Sequence, residues 1–182
     1  ASSHGIEIVR VERRPGPGPG GGTAPSKVEG PIRRVAIGCD HGGFPLKEVL
    51  VKRIRELGFQ VDDLGTHSTM AVDYPDYARA VARKVASGDC QRGVVIDGAG
   101  IGSSIVANKV PGIRAAHCRD LFETKNSREH NNANVLSLGA RVIGEGVALA
   151  MIDLWLATPF EGGRHARRVE KMDEIDRAER GR

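Results

Sequence analysis

The sequence predicts an α/β domain built on a five-stranded parallel sheet. Two observations support this prediction. Short apolar strands alternate with amphipathic helices from about Arg33 onward, and polar residues gather just after the strands. Helices that connect parallel strands cover both faces of a sheet, which gives a three-layer αβα sandwich with a Rossmann-like core. Crossovers of one hand then bring all strand-to-helix loops to one edge.

Each predicted element follows from a short stretch of this pattern. The strands are brief apolar runs bounded by turn residues, at 35–38, 60–64, 93–96, 113–117 and 135–138. The longer segments between them have the mixed composition of amphipathic helices. These helices are expected at 45–57, at 75–87, in a short segment ending near 108–109, through about residue 129, at 145–157, and in a last polar helix at 164–180.

Composition limits the classes of protein to which the chain can belong. Its 182 residues suffice for one domain with a real core, and 40% are hydrophobic without a run long enough to span a membrane. The first 34 residues carry +3 of the net charge of +4, which leaves the rest of the chain nearly neutral, so we do not expect nucleic acid as a partner. Three cysteines without paired spacing indicate a reduced, cytoplasmic protein, and no C-x-x-C or H-x-x-x-H pair predicts a metal site.

The chain divides at about Arg33 into an extension, 1–32, and a domain, 33–182. Residues 15–22 form a linker of proline and glycine, and residues 6–12 alternate apolar and polar side chains. Two interpretations stay open. The extension is either a flexible tail or a tethered strand that docks on a partner or a neighbouring subunit.

Polar residues follow four of the five predicted strands. Asp40 and His41 come after the first strand, Tyr74 lies in the loop after the second, Asp97 follows the third and Arg141 the fifth. Ligands of open α/β sheets bind outside the carboxyl ends of the strands, so we expect these side chains to line one crevice. A single Asp-His pair is most often a helix cap, whereas four polar loops on one edge favour a functional site.

The loop after the third strand carries the most informative residues. An apolar strand ends in Asp97, and glycines at 98, 100 and 102 lead into a short helix. Glycines let the backbone approach a ligand closely, and the start of the helix offers N–H groups to an anion. Because a carboxylate repels an anion, Asp97 fits better as a group that moves a proton on the substrate. The spacing is not that of a dinucleotide-binding loop, since no acidic ribose partner is suitably placed.

Several separate motifs occur in an order that resembles a known family. They are GCDHGG at 38–43, DYP at 73–75, GAGIG at 98–102, ANK at 107–109, REHNNAN at 128–134 and GGRH at 162–165. Together they resemble ribose-5-phosphate isomerase B and the related galactose-6-phosphate isomerase subunits, over residues 33–180.

The resemblance implies a reaction and an assembly. The reaction is the interconversion of phosphorylated aldoses and ketoses through an enediolate, without metal or other cofactor, with ribose 5-phosphate and ribulose 5-phosphate as the default pair. The assembly is a homodimer or homotetramer whose sites are shared between subunits, with the C-terminal helix used in dimerisation.

The resemblance also implies roles for individual residues. His130 matches the histidine that opens the sugar ring, a task that suits imidazole because it titrates near neutral pH. Asp40 and Asn131 match residues that contact sugar hydroxyls, and Tyr74 is expected to form a wall of the pocket. The expected phosphate ligands are His41, Arg141, Arg164 and Arg168, and the expected loop contacts to substrate are Gly98, Ala99, Gly100, Gly102 and Ser103.

The glycine loop departs from the family pattern at three positions. Asp97 stands where many relatives have a cysteine, Ser103 where others have a glutamate, and Ala99 where a hydroxyl residue is usual. Either Asp97 has become the catalytic base, or the chain is a catalytically altered or inactive sugar-phosphate-binding homologue acting as a scaffold or partner subunit. Burial raises the pKa of a carboxyl and a helix N-terminus lowers it, so the sequence leaves the pKa of Asp97 open.

Overall fold

The computed structural model describes residues 32–180, and these form the α/β domain that the sequence predicts. The five strands are β1 (Arg34–Cys39), β2 (Gln60–Asp63), β3 (Arg92–Asp97), β4 (Ala115–His117) and β5 (Val135–Gly139). All neighbouring strands pair in parallel, in the order β2-β1-β3-β5-β4. The linker and the alternating segment of the predicted extension lie outside the described residues.

Six helices accompany this sheet. They are α1 (Phe44–Glu56), α2 (Tyr74–Ala86), α3 (Ile101–Ala107), α4 (Leu121–Glu129), α5 (Glu145–Ala157) and α6 (Arg164–Arg180). Helices α1 and α5 bury apolar side chains on one face, and α2 and α3 do so on the other, which confirms the αβα layers. Within residues 32–180, no helix has both the length and the apolar character needed to cross a membrane.

The burial of the strands explains why their sequences indicated a parallel sheet. Every residue of the central strands β3 and β5 is buried, whereas no residue of the edge strands β2 and β4 is. A strand covered on both faces has to be largely apolar along its length rather than at alternate positions. On one face, Leu50, Ile54, Met151 and Trp155 pack in the core with no exposed surface.

Strand β4 is two residues shorter than predicted, because its first two expected residues follow a turn at 111–112 and its pairing with β5 begins only at Ala115. The Ile113 N–H donates to the Val110 carbonyl at 3.2 Å. The Arg114 N–H donates to Asn134 Oδ1 at 2.8 Å instead of to a strand. The Pro-Gly pair at 111–112 is the sequence signal for this turn. The other predicted boundaries agree with the structure to within two residues.

A buried ion pair holds the end of β2 against α1. Lys47 has no exposed surface, and its Nζ donates to both carboxylate oxygens of Asp63, at 2.7 and 2.6 Å. Asp63 also accepts the Gly65 N–H at 3.0 Å, so the pair fixes the loop that leads to the sheet edge. Without Asp63, the buried ammonium would keep one carboxylate within 4.0 Å among residues 32–180, that of the exposed Glu48 at 3.2 Å.

Replacing Asp63 by alanine should therefore lower the free energy of unfolding by about 3 kcal/mol, because it leaves Lys47 charged and buried. Replacing Lys47 by methionine keeps much of the side-chain volume and removes the charge, so it should cost less. Urea unfolding followed by circular dichroism measures both variants. If Asp63→Ala and Lys47→Met had the same free energy of unfolding, the ion pair would not be the interaction that fixes this loop.

Candidate active site

The carboxyl ends of β1 and β3 meet where the strand order of the sheet reverses. The Asp40 N–H, just after β1, donates to the Ile96 carbonyl of β3 at 3.1 Å. On the other side of β3, the Ala140 N–H donates to the Asp97 carbonyl at 2.8 Å. Crevices at such switch points are the usual ligand sites of open α/β sheets. The structure thus confirms that the loops after β1, β3 and β5 converge on one edge.

The other side chains expected at this edge surround the glycine loop, residues 97–104. His41 Nδ1 accepts the Val72 N–H at 3.3 Å, which ties the loop after β1 to the segment before α2. The Tyr74 ring lies over Gly102, where an added Cβ would come within 2.6 Å of the ring. The Arg141 N–H donates to the carbonyl of the first loop glycine at 3.0 Å. Tyr74 and Arg141 therefore flank the loop, and His41 binds the segment that leads into α2.

Asp97 lies almost fully buried at the base of this loop, with 5% of its surface exposed. Its Oδ1 accepts the N–H groups of Ala99, at 2.8 Å, and of Gly100. Its Oδ2 accepts the Ser103 N–H at 2.8 Å, and the Ser103 hydroxyl donates to the same carboxylate. The carboxylate thus organises the loop around itself.

These hydrogen bonds decide the protonation state of Asp97. Burial raises the pKa of the carboxyl, but the Ser103 hydroxyl and the N–H groups of Ser103, Gly100 and Ala99 outweigh it and lower the pKa below its ordinary value. Asp97 is therefore an anion at neutral pH. Of the two opposing effects considered from the sequence, the donors at the start of α3 prevail over burial.

Buried groups of β5 support the loop from below. The Ser137 hydroxyl donates to the Gly100 carbonyl at 2.5 Å. Gly100 has φ of 80°, a conformation that favours glycine. A Cβ on Gly139 would lie 2.6 Å from the Ala99 carbonyl oxygen, so only glycine fits there without moving the loop. Ser137 is not among the residues expected from the sequence, although a serine inside an apolar strand is a signal that its hydroxyl has a buried partner.

The three cysteines are all buried and offer no thiolate to this site. Burial raises the pKa of Cys39 and Cys90 to about 12 and that of Cys118 to about 11. Cys39 ends β1 beside the crevice, yet it keeps its proton at neutral pH. The ionised group at the centre of the crevice is therefore Asp97 and not a displaced thiol.

His130 and Asn131 lie at the opposite end of the sheet. Helix α4 follows β4 and runs back from the carboxyl edge, and His130 caps its C-terminus. Asn134, just before β5, accepts the Gly93 N–H near the start of β3 at 2.9 Å. The five residues of β5 span about 16 Å, so roughly this distance separates the two ends.

The start of α6 lies beside His130. The Glu161 N–H donates to the last carbonyl of α4 at 3.1 Å. The rings of His130 and His165 stack, with centroids 4.0 Å apart and planes within 4°. Arg164 Nε donates to His165 Nε2 at 3.2 Å, and Arg168 follows one helical turn later.

Three further side chains near His130 had no role assigned from the sequence. The Asn126 amide lies 2.8 Å from His130 Nδ1, and Glu161 Oε2 lies 3.5 Å from His130 Nε2. The third is His165, whose ring covers that of His130. About thirty residues separate the end of α4 from the start of α6, so spacing along the chain could not indicate this cluster.

Arg128 holds the turn that follows α4. It is fully buried, and its Nη1 donates to the Ala133 carbonyl at 2.5 Å and to Asn132 Oδ1 at 2.9 Å. Its Nε donates to the Thr158 carbonyl at 3.3 Å, just after α5. The position of the ring-opening histidine expected from the sequence is thus fixed by a buried guanidinium two residues earlier.

The expected site residues therefore form two groups. The sheet-edge half-site comprises Asp40, His41, Tyr74, Asp97, Arg141 and the loop residues Gly98, Ala99, Gly100, Gly102 and Ser103. The helix half-site comprises His130, Asn131, Arg164 and Arg168. A sugar phosphate is shorter than the sheet that separates the two groups, so within one chain they cannot both contact the same molecule.

Comparison with known proteins agrees with this architecture. Residues 35–172 match a family model described as Ribose/Galactose Isomerase. The chain is 46% identical to ribose-5-phosphate isomerase B of Escherichia coli over 145 residues, which cover 80% of this chain and 97% of that relative. It is 42% identical to D-erythrulose-4-phosphate isomerase of Pectobacterium atrosepticum over 147 residues, with coverages of 80% and 97%. The structure of Clostridium thermocellum ribose-5-phosphate isomerase B gives a TM-score of 0.78 at 51% identity, covering 80% of this chain and 98% of that one.

The fold and these matches define the chain as an enzyme of the sugar-phosphate isomerase class. More particularly, it belongs to the ribose/galactose isomerase family, which confirms the resemblance noted from its motifs.

The lowered pKa of Asp97 predicts how stability depends on pH. A carboxyl whose pKa is lower in the folded than in the unfolded chain stabilises the fold above its unfolded pKa of about 3.9. That contribution is lost as the pH falls toward the folded pKa. We expect the free energy of unfolding to fall less steeply below about pH 4 in Asp97→Asn than in the unaltered chain. Urea unfolding across this range tests it, and equal slopes would contradict the lowered pKa.

Proposed function

We propose that the chain interconverts ribose 5-phosphate and ribulose 5-phosphate in the cytoplasm, by ring opening and proton transfer without a metal. The relatives at 46% and 51% identity are named for ribose 5-phosphate isomerisation. The observation that carries the proposal is the ionised Asp97 carboxylate at the centre of the switch-point crevice. The 42% identical erythrulose-4-phosphate isomerase makes a phosphotetrose the first alternative substrate to test.

The complete site forms between two subunits in this proposal. The helix half-site of one subunit faces the sheet-edge half-site of its neighbour, in a homodimer or homotetramer. A two-fold axis then generates two equivalent sites. His41 and Arg141 approach the phosphate from one side and Arg164 and Arg168 from the other, so positive groups surround it.

His130 opens the sugar ring. Its side chain is 34% exposed, and the Asn126 amide 2.8 Å from Nδ1 fixes the orientation of the ring. An imidazole can take the proton of the anomeric hydroxyl and return one to the ring oxygen. Asp40 and Asn131 then hydrogen-bond the hydroxyls of the open-chain sugar.

Asp97 takes the proton from C2 of the aldose and returns it to C1 of the enediolate, while the proton of the C2 hydroxyl passes to the C1 oxygen. Its oxygens accept three backbone N–H groups, which are fixed, and the Ser103 hydroxyl, which can rotate. Rotation of that hydroxyl toward the substrate frees one lone pair of the carboxylate. The same hydroxyl can then donate to an enediolate oxygen, which supplies the contact that Ala99 does not.

A sugar-phosphate-binding homologue without turnover is the second candidate, acting as a scaffold or a partner subunit. The observation that favours it is that the loop itself engages both oxygens of Asp97, as it would for a carboxylate with a purely structural role. The helix half-site opposes it, because a protein that only binds sugar phosphates has no use for a ring-opening histidine.

Replacing Asp97 by asparagine should reduce turnover by about 10²- to 10⁴-fold, because an amide cannot accept the proton. Asp97→Cys is the matched variant, since it restores the residue of many relatives and the loop N–H groups favour a thiolate. It should keep substantially more activity than Asp97→Asn. Exchange between ribose 5-phosphate and ribulose 5-phosphate, followed by NMR with a chelator present, measures all three proteins.

Two outcomes of this experiment would change the proposal. Undiminished exchange in Asp97→Asn would remove Asp97 from the mechanism. If the unaltered chain bound both sugar phosphates but exchanged neither these nor phosphotetroses, the second candidate would be established.

A mixture of two inactive variants tests the shared site. In a dimer of one Asp97→Asn and one His130→Asn chain, one site carries both substitutions and the other carries neither. Mixtures that are unfolded and refolded together should recover up to about a quarter of the unaltered activity, since about half of the dimers are mixed. Each variant refolded alone is the control. Mixed dimers seen by native mass spectrometry but without activity would place each site within one chain.

A further inference from the structure

We propose that His130, Glu161 and His165 form a site for a divalent metal ion such as Zn²⁺. An ion bound there would block the helix half-site. The three side chains come from the C cap of α4 and the start of α6, and their ligand atoms all lie within 4.8 Å of one another. The inhibitory effect rests on the function proposed above, whereas the binding of the metal does not.

The separations of the donor atoms match a coordination shell better than a hydrogen-bonded cluster. Glu161 Oε2 lies 3.5 Å from His130 Nε2 and 3.8 Å from His165 Nε2. Both distances are too long for good hydrogen bonds. Ligand atoms at about 2.0–2.1 Å from a tetrahedral zinc ion lie about 3.4 Å apart, close to the distances of Glu161 from both histidines.

The donor set is also the right chemistry. Two histidines and one glutamate form a common open zinc site, whose fourth position is left to water or another ligand. Glu161 is exposed and gives the ion a path of entry, while His165 is nearly buried. The Asn126 amide beside His130 Nδ1 can turn its oxygen to accept a proton from that nitrogen, as partners of metal-bound histidines do.

Two features of the cluster work against metal binding, and each would link metal binding to inhibition. Arg164 Nε occupies His165 Nε2 at 3.2 Å, so the ion has to displace an expected phosphate ligand. The stacked rings must splay, because each lone pair lies in the plane of its own ring. His130 is partly exposed at a helix cap and can rotate in this way. The bound ion then occupies Nε2 of the ring-opening histidine.

Titration of the full chain with Co²⁺ and Zn²⁺ tests the site directly. We expect the intense visible absorption of tetrahedral Co²⁺, lost on adding Zn²⁺, and one Zn²⁺ per chain by calorimetry. Glu161→Gln should weaken Zn²⁺ binding at least about tenfold, since even an indirect partner of a metal ligand contributes that much. Glu170→Gln, at an exposed position of α6, is the matched control and should bind as the unaltered chain does.

His165→Asn provides a second variant, with thermal unfolding to verify that it folds. Equal Zn²⁺ affinity in the unaltered chain and in both ligand variants would overturn the site. For the inhibitory effect, Zn²⁺ should slow sugar-phosphate exchange in the unaltered chain and in Glu170→Gln, and EDTA should reverse it. If Zn²⁺ bound at this site without slowing sugar-phosphate exchange, the inhibitory effect would be overturned. The Co²⁺ spectra and the calorimetry test the metal site itself, even if the chain has no isomerase activity.

Discussion

The arrangement of the sheet edge depends on one carboxylate that accepts hydrogen bonds from the loop it begins. Asp97 is placed by the last hydrogen bonds of β3, and its side chain then accepts the N–H groups of three of the next six residues, Ala99, Gly100 and Ser103. The same bonds keep it ionised despite its burial. Shape and charge at this edge are therefore set together, and neither can be altered without the other.

The second constraint is the length of a parallel strand. A helix that follows one strand must return along the sheet before the next strand begins, so residues at helix C-termini lie far from the loops at the carboxyl edge. His130 is such a residue, and Asp97 is not. A reaction that needs both Asp97 and His130 favours a dimer, in which His130 of one subunit lies beside Asp97 of the other.

Sequence patterns predicted most of this fold because burial on both faces makes β3 and β5 almost continuously apolar, a local signal. Asp97 could be identified from the sequence because it is a charged residue at the end of the apolar run of β3. The direction of its pKa could not be predicted, since it depends on how many donors converge in space. The contact of His165 with His130 was likewise invisible, because it joins the ends of two helices that the chain visits about thirty residues apart.

The buried cysteines have a consequence for the conditions that this chain tolerates. Peroxides and alkylating reagents attack thiolates, and a thiolate base exposes an enzyme to both. Here all three sulfurs are enclosed and protonated, with pKa values near 11 to 12. A carboxylate is inert to such reagents. The mechanism proposed above, with Asp97 as the base, therefore needs no thiolate, and we expect it to survive oxidative conditions.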